Sequence, residues 1–253
     1  MRIVRYRHRD RTGYGVLHRD RVAGIVGDPF RPLRPTREWL PLDKVRLLAP
    51  VEPRNVIGMG RNSGDDVPEV PVAFLKPATG VVGPGAAIVH PGDAGRVDHE
   101  GELVIVVGRR ARRLTPATAA SAILGFTCGN DVTARELQAA DDQWTRAKGY
   151  DSFSAVGPWV ETVLDPADLG IRTFVNGELR QKARTSELAR GPVEILVFLS
   201  SFMTLHPGDL VFTGAPGQVG PIRPGDRVEV EIEGIGVLAN PVVAETPAAA
   251  QRP

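Results

Sequence analysis

The chain has 253 residues, 42% of them apolar and 24% charged, with a formal net charge of +1. That balance gives no global attraction to nucleic acid or to a membrane surface, and the length suits one large domain or a small one beside a larger one. A single cysteine, Cys128, excludes an intrachain disulfide and a cysteine-based metal knot. No apolar run reaches bilayer-spanning length and the N-terminus lacks a signal-type stretch, so a cytoplasmic protein is expected.

Residues 1–50 show short alternating segments broken by "RTG", "VGDPF" and "RPLRPT", which predicts a small β-rich N-terminal unit ending near "LLAPVEP". Its basic cluster "RYRHRDRTGYGVLHRDR" has apolar residues interleaved, the pattern of a solvated sheet edge rather than of a nucleic-acid-binding arm. A larger domain over 51–246 follows, with 247–253 as a tail. Strands are expected at "NVIGMG" and "VAFLKP", on either side of the polar loop "RNSGDDVPEVP", and turns at "GPG" and "HPGD".

Residues Leu103–Val107 are all aliphatic and predict a buried strand. Thr115 and Pro116 open a predicted helix over "TPATAASAILGF". A second helix is expected over "TARELQAADDQWTRAKG" and a third, amphipathic, from Arg190 to His206, stopped by Pro207-Gly208. The tail end returns to β in "DLVFTG" and in the alternating "GDRVEVEIEGIGVLANPVV". Strands dominate without a regular βαβ rhythm, so the fold class is α+β, β-rich.

Glu100 and Glu102 stand one residue apart at the mouth of the buried strand, where side chains i and i+2 share a face. Asp98 adds a third acid two residues earlier. Crowded carboxylates repel, and burying them is costly unless something positive compensates. Asp131, in "GNDVTAREL", follows a strand-like stretch and a Gly-Asn turn that can aim it into the same cavity. Glu100, Glu102 and Asp131 would make an all-oxygen site suited to a hard cation, Mg²⁺ or Mn²⁺. On spacing alone, a solvated strand end is the commoner reading. Arg135 and Gln138 follow Asp131 at four and seven positions, on one helical face with it, and an arginine there can fork onto a substrate carboxylate. Lys148 lies between a helix end and a turn in "WTRAKGYDSF".

These pieces, with "LPLDKVRLLAPVEP", "GRN" at 60–62, "FLKP", "DHEGELVIVVG", "KGYDSFSAVGPW", "VNGELRQKARTSEL" and "FMTLHPGDLVFTGAP", resemble the fumarylacetoacetate hydrolase superfamily over nearly the whole chain. The likeness is to its bacterial 2-hydroxyhepta-2,4-diene-1,7-dioate isomerase and acylpyruvase-like branch. The resemblance implies a mixed β-roll catalytic domain behind a small β-rich N-terminal domain, in a homodimer. It implies Mg²⁺, Mn²⁺ or Ca²⁺ on Glu100, Glu102 and Asp131, with Lys148 catalytic. Substrate contacts are implied for Arg135, Gln138, Arg61, Thr213, Gly214 and Ala215. The implied substrate is a small 2-oxo or 2,4-dioxo acid, handled through an enolate by isomerisation, decarboxylation or C–C hydrolysis.

Two departures from the family pattern stand out. The lid "GxNYxxHxxE", whose His and Glu position water in hydrolytic and decarboxylating members, is here "GRNSGDDVPEVPVAF". Ser63 takes the Tyr position, and only Asp65, Asp66 and Glu69 supply acids. Ala215 stands where "TGTPxGVG" has a Thr. The competing expectation is therefore an altered fold member that binds without catalysis, having lost the hydrolytic pair. A distant histidine, His90, His99 or His206, filling the lid's place would restore hydrolysis.

Overall fold

The computed structural model describes residues 1–246 of the chain, so the tail expected at 247–253 lies outside the described residues. Ten strands form one long sheet. It runs Pro35–Pro41, Arg21–Ile25, Arg11–His18, Arg2–His8, Ser154–Glu161, Ile123–Asp131, Gly101–Val107, Leu210–Phe212, Val56–Gly60 and Val72–Lys76, with two short strands pairing off that path. The N-terminal meander extends this sheet because Arg2 and Ile3 pair with Glu161 and Val160. A five-stranded sheet contains Gly170–Val175, Glu178–Arg184, Arg227–Ile232, Gly236–Ala244 and Ile88–His90, and a three-stranded one joins Val97–His99 to Thr133–Ala134 and Gly220–Pro221. The protein is a strand-rich α+β fold. No helix among the described residues is long and apolar enough to cross a membrane.

Leu103–Val107 is aliphatic on both faces because both faces are covered. Leu103, Ile105 and Val107 pack with Ile171, Val230 and Ile232 of the five-stranded sheet and with Ile195, Leu196 and Leu199 of a helix. Val104 and Val106 pack with Val156, Val160, Leu210 and Phe212. That helix, Pro192–Phe202, is shorter than the expected Arg190–His206 span. Gly191 caps it with Glu194 reaching back to the Gly191 N–H, and Met203 already has extended backbone.

The other two helices are broken up. "TPATAASAILGF" is helical only over Pro116–Ala119, with a 3₁₀ turn over Ala120–Ala122; its aliphatic end joins the strand Ile123–Asp131. "TARELQAADDQWTRAKG" splits into Arg135–Ala140 and Thr145–Lys148. Asp131 therefore belongs to a strand, and its Gly129-Asn130 neighbours are strand rather than turn. Thr133–Ala134 pairs with Val97–Asp98, which keeps the backbone extended until Arg135. The shared helical face for Asp131 and Arg135 does not exist; Arg135 and Gln138 alone keep the i, i+3 relation.

The two larger sheets meet closely at Gly101. A Cβ there would meet Thr173 Oγ1 and lie 2.8 Å from Gln181 Oε1. Gln181 is buried and uses all its polar valences: Oε1 accepts from Gly101 N at 2.9 Å and Thr173 Oγ1 at 2.8 Å. Its Nε2 donates to Gly101 O and to Pro216 O, both at 2.9 Å. Gly101→Ala should therefore cost about 1–3 kcal/mol by overpacking. A melt should show a Tm several degrees lower, at about 2–4 °C per kcal/mol for a chain of this size. An unchanged Tm would show that the sheets do not constrain this strand.

Candidate metal centre and active-site cavity

The ends of several strands place the acids together. Glu100 directly precedes Gly101–Val107, and Asp131 closes the neighbouring strand, its N–H donating to Glu100 O at 2.9 Å. Asn130 Oδ1 accepts from Glu100 N at 2.9 Å, fixing the turn-in of that residue. One carboxylate oxygen from each of Glu100, Glu102 and Asp131 lies within 4.8 Å of the others, and all three residues are buried. Oxygens on opposite sides of one Mg²⁺ or Ca²⁺ are separated by about 4–5 Å, so this donor set fits a hard divalent ion.

Two lysines compensate the acids. Lys148, buried at the end of Thr145–Lys148, donates to Glu100 Oε2 at 2.8 Å and Asp131 Oδ2 at 2.6 Å. Lys76, closing Val72–Lys76 with its side chain 0% exposed, bonds Asp131 Oδ1 and donates to Phe153 O at 3.0 Å. Glu102 has no ion pair among the described residues and accepts only from Gly214 N, at 2.7 Å. Burial, with Asp131 and Glu100 beside it, holds the Glu102 carboxyl well above the usual carboxylate range. Burial would raise Asp131 as well, but Lys148 and Lys76 outweigh it and hold Asp131 below its ordinary value. For Lys148 burial pulls down while Asp131 and Glu100 win, holding it above its ordinary value. For Lys76 burial wins over Asp131. The least compensated acid is thus Glu102, whose negative charge calls for a proton or a cation.

Arg135 donates to Glu100 Oε1 at 2.6 Å, Asp98 Oδ2 at 2.9 Å and Gln138 Oε1 at 2.8 Å. Asp98 is also paired to Arg96 at 2.7 Å, so it serves Arg135 and stands outside the acidic triad. Above the acids opens a cavity of about 610 Å³, lined by Glu100, Glu102, Arg135, Gln138 and Lys148 together with Arg61, Gly214 and Ala215. Phe74 and Trp144, ring centroids 5.4 Å apart, supply an apolar wall. Thr213 does not reach the cavity; its hydroxyl donates to Leu103 O at 2.9 Å.

The lid region forms one wall. Ser63 lines the cavity and donates to Ala215 O at 3.0 Å, so the two departures noted in the sequence touch each other. Arg190 holds the loop through Pro68 O at 2.6 Å and Glu69 O at 2.8 Å. Asp65, Asp66 and Glu69 are exposed and do not line the cavity, and no histidine does. His99 is fully buried, and burial pushes its imidazole down to about 4. His90 bonds the neighbouring Pro91 O.

Sequence reasoning missed Lys76 and Gln181 as parts of this site. Both stood inside quoted motifs, "FLKP" and "VNGELRQKARTSEL". A charged residue ending an apolar strand was the available signal for Lys76.

Comparisons with known proteins give the family. A family model for the C-terminal region of fumarylacetoacetate hydrolase matches residues 51–243, and one described as Rv2993c-like, N-terminal, matches residues 1–50. A 2-hydroxyhepta-2,4-diene-1,7-dioate isomerase structure from Mycobacterium marinum is 45% identical, covering 97% of this chain and 99% of that one, with a TM-score of 0.93. A mitochondrial oxaloacetate tautomerase of Bos taurus is 38% identical over 224 residues, 81% of this chain and 71% of that protein. A maleylpyruvate hydrolase from Sphingobium sp. SYK-6, solved with manganese(II) and pyruvate, is 30% identical, covering 97% of this chain and 100% of that one, with a TM-score of 0.83. Its buried acidic triad, its strand-rich fold and a family match across most of its length together place this chain in the fumarylacetoacetate hydrolase family.

Proposed function

We propose that the chain is a divalent-metal-dependent enzyme moving a proton on the enolate of a small 2-oxo acid. The reaction is keto–enol isomerisation or decarboxylation, with hydrolytic C–C cleavage at most a weak side activity. The observation carrying this reading is a cavity that unites Glu100, Glu102 and Lys148 with Arg135 and Gln138 yet has no histidine in its lining. The isomerase and tautomerase among the relatives support it.

A Mg²⁺ or Mn²⁺ ion held by Glu100, Glu102 and Asp131 would supply Lewis acidity, lowering the cost of negative charge on a carbonyl oxygen. The chain's own groups do the rest. Arg135 is braced by Glu100, Asp98 and Gln138 and so presents its guanidinium in one orientation. Gln138 spends Oε1 on Arg135, leaving Nε2 to donate to a substrate oxygen. Lys148 Nζ spends two of its three donors on Glu100 and Asp131, and the third can deliver a proton to the enolate carbon. Phe74 and Trp144 exclude water from one side.

Hydrolysis asks for more. A water must be held at a carbonyl and deprotonated there, and a positioned base contributes roughly 10²–10⁴-fold. Ser63 is committed to Ala215 O, and the lid's acids face solvent.

Two outcomes are expected. Mn²⁺ at about 100 times its Kd should stabilise the protein by about 2.7 kcal/mol in a thermal melt, and Glu102→Gln should remove that shift. A variant that melts with the same Mn²⁺ shift would show that Glu102 is not a ligand. In Mn²⁺, enol–keto exchange of oxaloacetate followed by NMR should be fast, and Lys148→Ala should slow it by roughly 10²-fold or more. Rapid cleavage of acetylpyruvate or fumarylpyruvate, with exchange indifferent to Lys148→Ala, would sink the reading.

A further inference from the structure

We propose that Asn62 is a positioning residue for the metal site. Through the peptide between Thr213 and Gly214 it aims the hydrogen bond that holds Glu102, and so ties the lid segment to divalent-ion affinity. This rests on the metal-dependent reading above and deepens it.

Asn62 lines the cavity but is only 2% exposed, and three of its four polar valences are spent on backbone. Its Nδ2 donates to Thr213 O at 2.8 Å and to Arg190 O at 2.9 Å, and its Oδ1 accepts from Arg190 N at 3.1 Å. A side chain so committed has little left for a substrate. Its backbone is fixed too, since Asn62 O accepts from Ala189 N at 2.8 Å. Arg190 in turn holds the lid through Pro68 O and Glu69 O.

The Thr213 carbonyl and the Gly214 N–H belong to one peptide unit, and that unit is planar. Asn62 bonds its oxygen, and Glu102 Oε2 accepts from its nitrogen at 2.7 Å, the one hydrogen bond Glu102 has among the described residues. Any rotation of the plane therefore moves both contacts together. Thr213 is pinned on one side, its N–H and hydroxyl both donating to Leu103 O. On the other, Gly214 has φ +101°, in the left-handed region, where a glycine resists rotation little. Asn62 supplies the restraint that the glycine lacks, and the two touch: a Cβ on Gly214 would lie 3.0 Å from Asn62 Cβ.

The consequence reaches the ion. Glu100 and Asp131 are oriented by Arg135 and the two lysines, whereas Glu102 has no ion pair among the described residues. Its carboxylate stays beside theirs, with ligand oxygens within 4.8 Å of one another, on the strength of that one N–H. Hydrogen bonds in series polarise one another, so the bond from Asn62 also makes the N–H a better donor. Asn62 is neutral, so its loss would act through geometry with no charge removed.

Calorimetry with Mn²⁺ on the full chain tests this. Asn62→Ala should weaken Mn²⁺ binding by roughly 10–100-fold, the size expected for a partner standing behind a metal ligand. Asn240→Ala is the control, because Asn240 is also 2% exposed and bonds Gly83 O and Ala86 O at 2.9 and 2.8 Å outside the cavity. It should lower the melting temperature comparably yet change Mn²⁺ affinity less than about twofold, as an independent site does. Gly214→Ala disturbs the same peptide from its other side and carries the test should Asn62→Ala not fold. The double variant should lose less than the two single losses combined, since both act on one peptide. Unchanged Mn²⁺ affinity in either folded variant, fully additive losses in the double, or an equal loss in Asn240→Ala would overturn the role while leaving the metal-dependent reading intact. A wild type that binds no Mn²⁺ would overturn that reading and the role with it.

Discussion

Three acidic side chains share one buried floor, and two buried ammoniums make that arrangement tolerable. Like charges about 4 Å apart repel by roughly 4 kcal/mol even at an effective dielectric of 20, and each buried ion costs several kcal/mol in lost hydration. Lys76 and Lys148 offset both terms by bonding Asp131 from two sides, and Lys148 also reaches Glu100. Glu102 alone is left to Gly214 N–H. Glu102 is thus the acid without an ion pair among the described residues, and its burial calls for a proton or a bound cation. Strands ending at Lys76 and Asp131, one beginning at Gly101 and the loop at Gly214 all meet at this place.

That convergence was partly legible in the residues. The aliphatic run Leu103–Val107 and the paired glutamates before it announce a buried strand with crowded charge at its mouth, and the strand is buried throughout. The alternation in Arg227–Ile232 likewise appears as alternate burial. Helices were less legible, because tertiary pairing overrode local propensity. Ile123–Phe126 continues a helical-looking alanine run, yet the sheet takes it as a strand beside Gly101–Val107. Thr133–Ala134 is drawn into pairing with Val97–Asp98, which separates Asp131 from the Arg135 helix. Lys76 and Gln181 were missed for a different reason. Their partners lie 55 and 80 positions away in sequence, and no local period encodes such a contact.

Gln181 shows how the second sheet reaches the chemistry without touching a ligand. Through one amide it bonds both polar groups of Gly101 and the Pro216 carbonyl. Gly101 separates the two glutamates, and Pro216 sits in the loop carrying Gly214 and Ala215. The spacing of acids and the height of that cavity wall are therefore set together. A glycine is required between the glutamates because any side chain would strike Thr173 and Gln181. The motif "EGE" thus reflects a close sheet-to-sheet approach as much as metal chemistry.

The floor and the lid answer to different demands, and this chain separates them. An enolate needs positive charge at its oxygen and a proton source at its carbon, the two roles proposed above for the floor. What happens next depends on whether a base and a water stand over the carbonyl. Here the lid's first polar side chain, Ser63, is turned to the Ala215 carbonyl, and its loop is tied down by Arg190. Those bonds make the segment one wall of the cavity. Ser63, where the family pattern has tyrosine, bonds the backbone carbonyl of Ala215, where it has threonine, so the two departures are neighbours in this wall. On the function proposed above, a floor without a base over it would favour returning a proton to carbon over breaking a carbon–carbon bond with water.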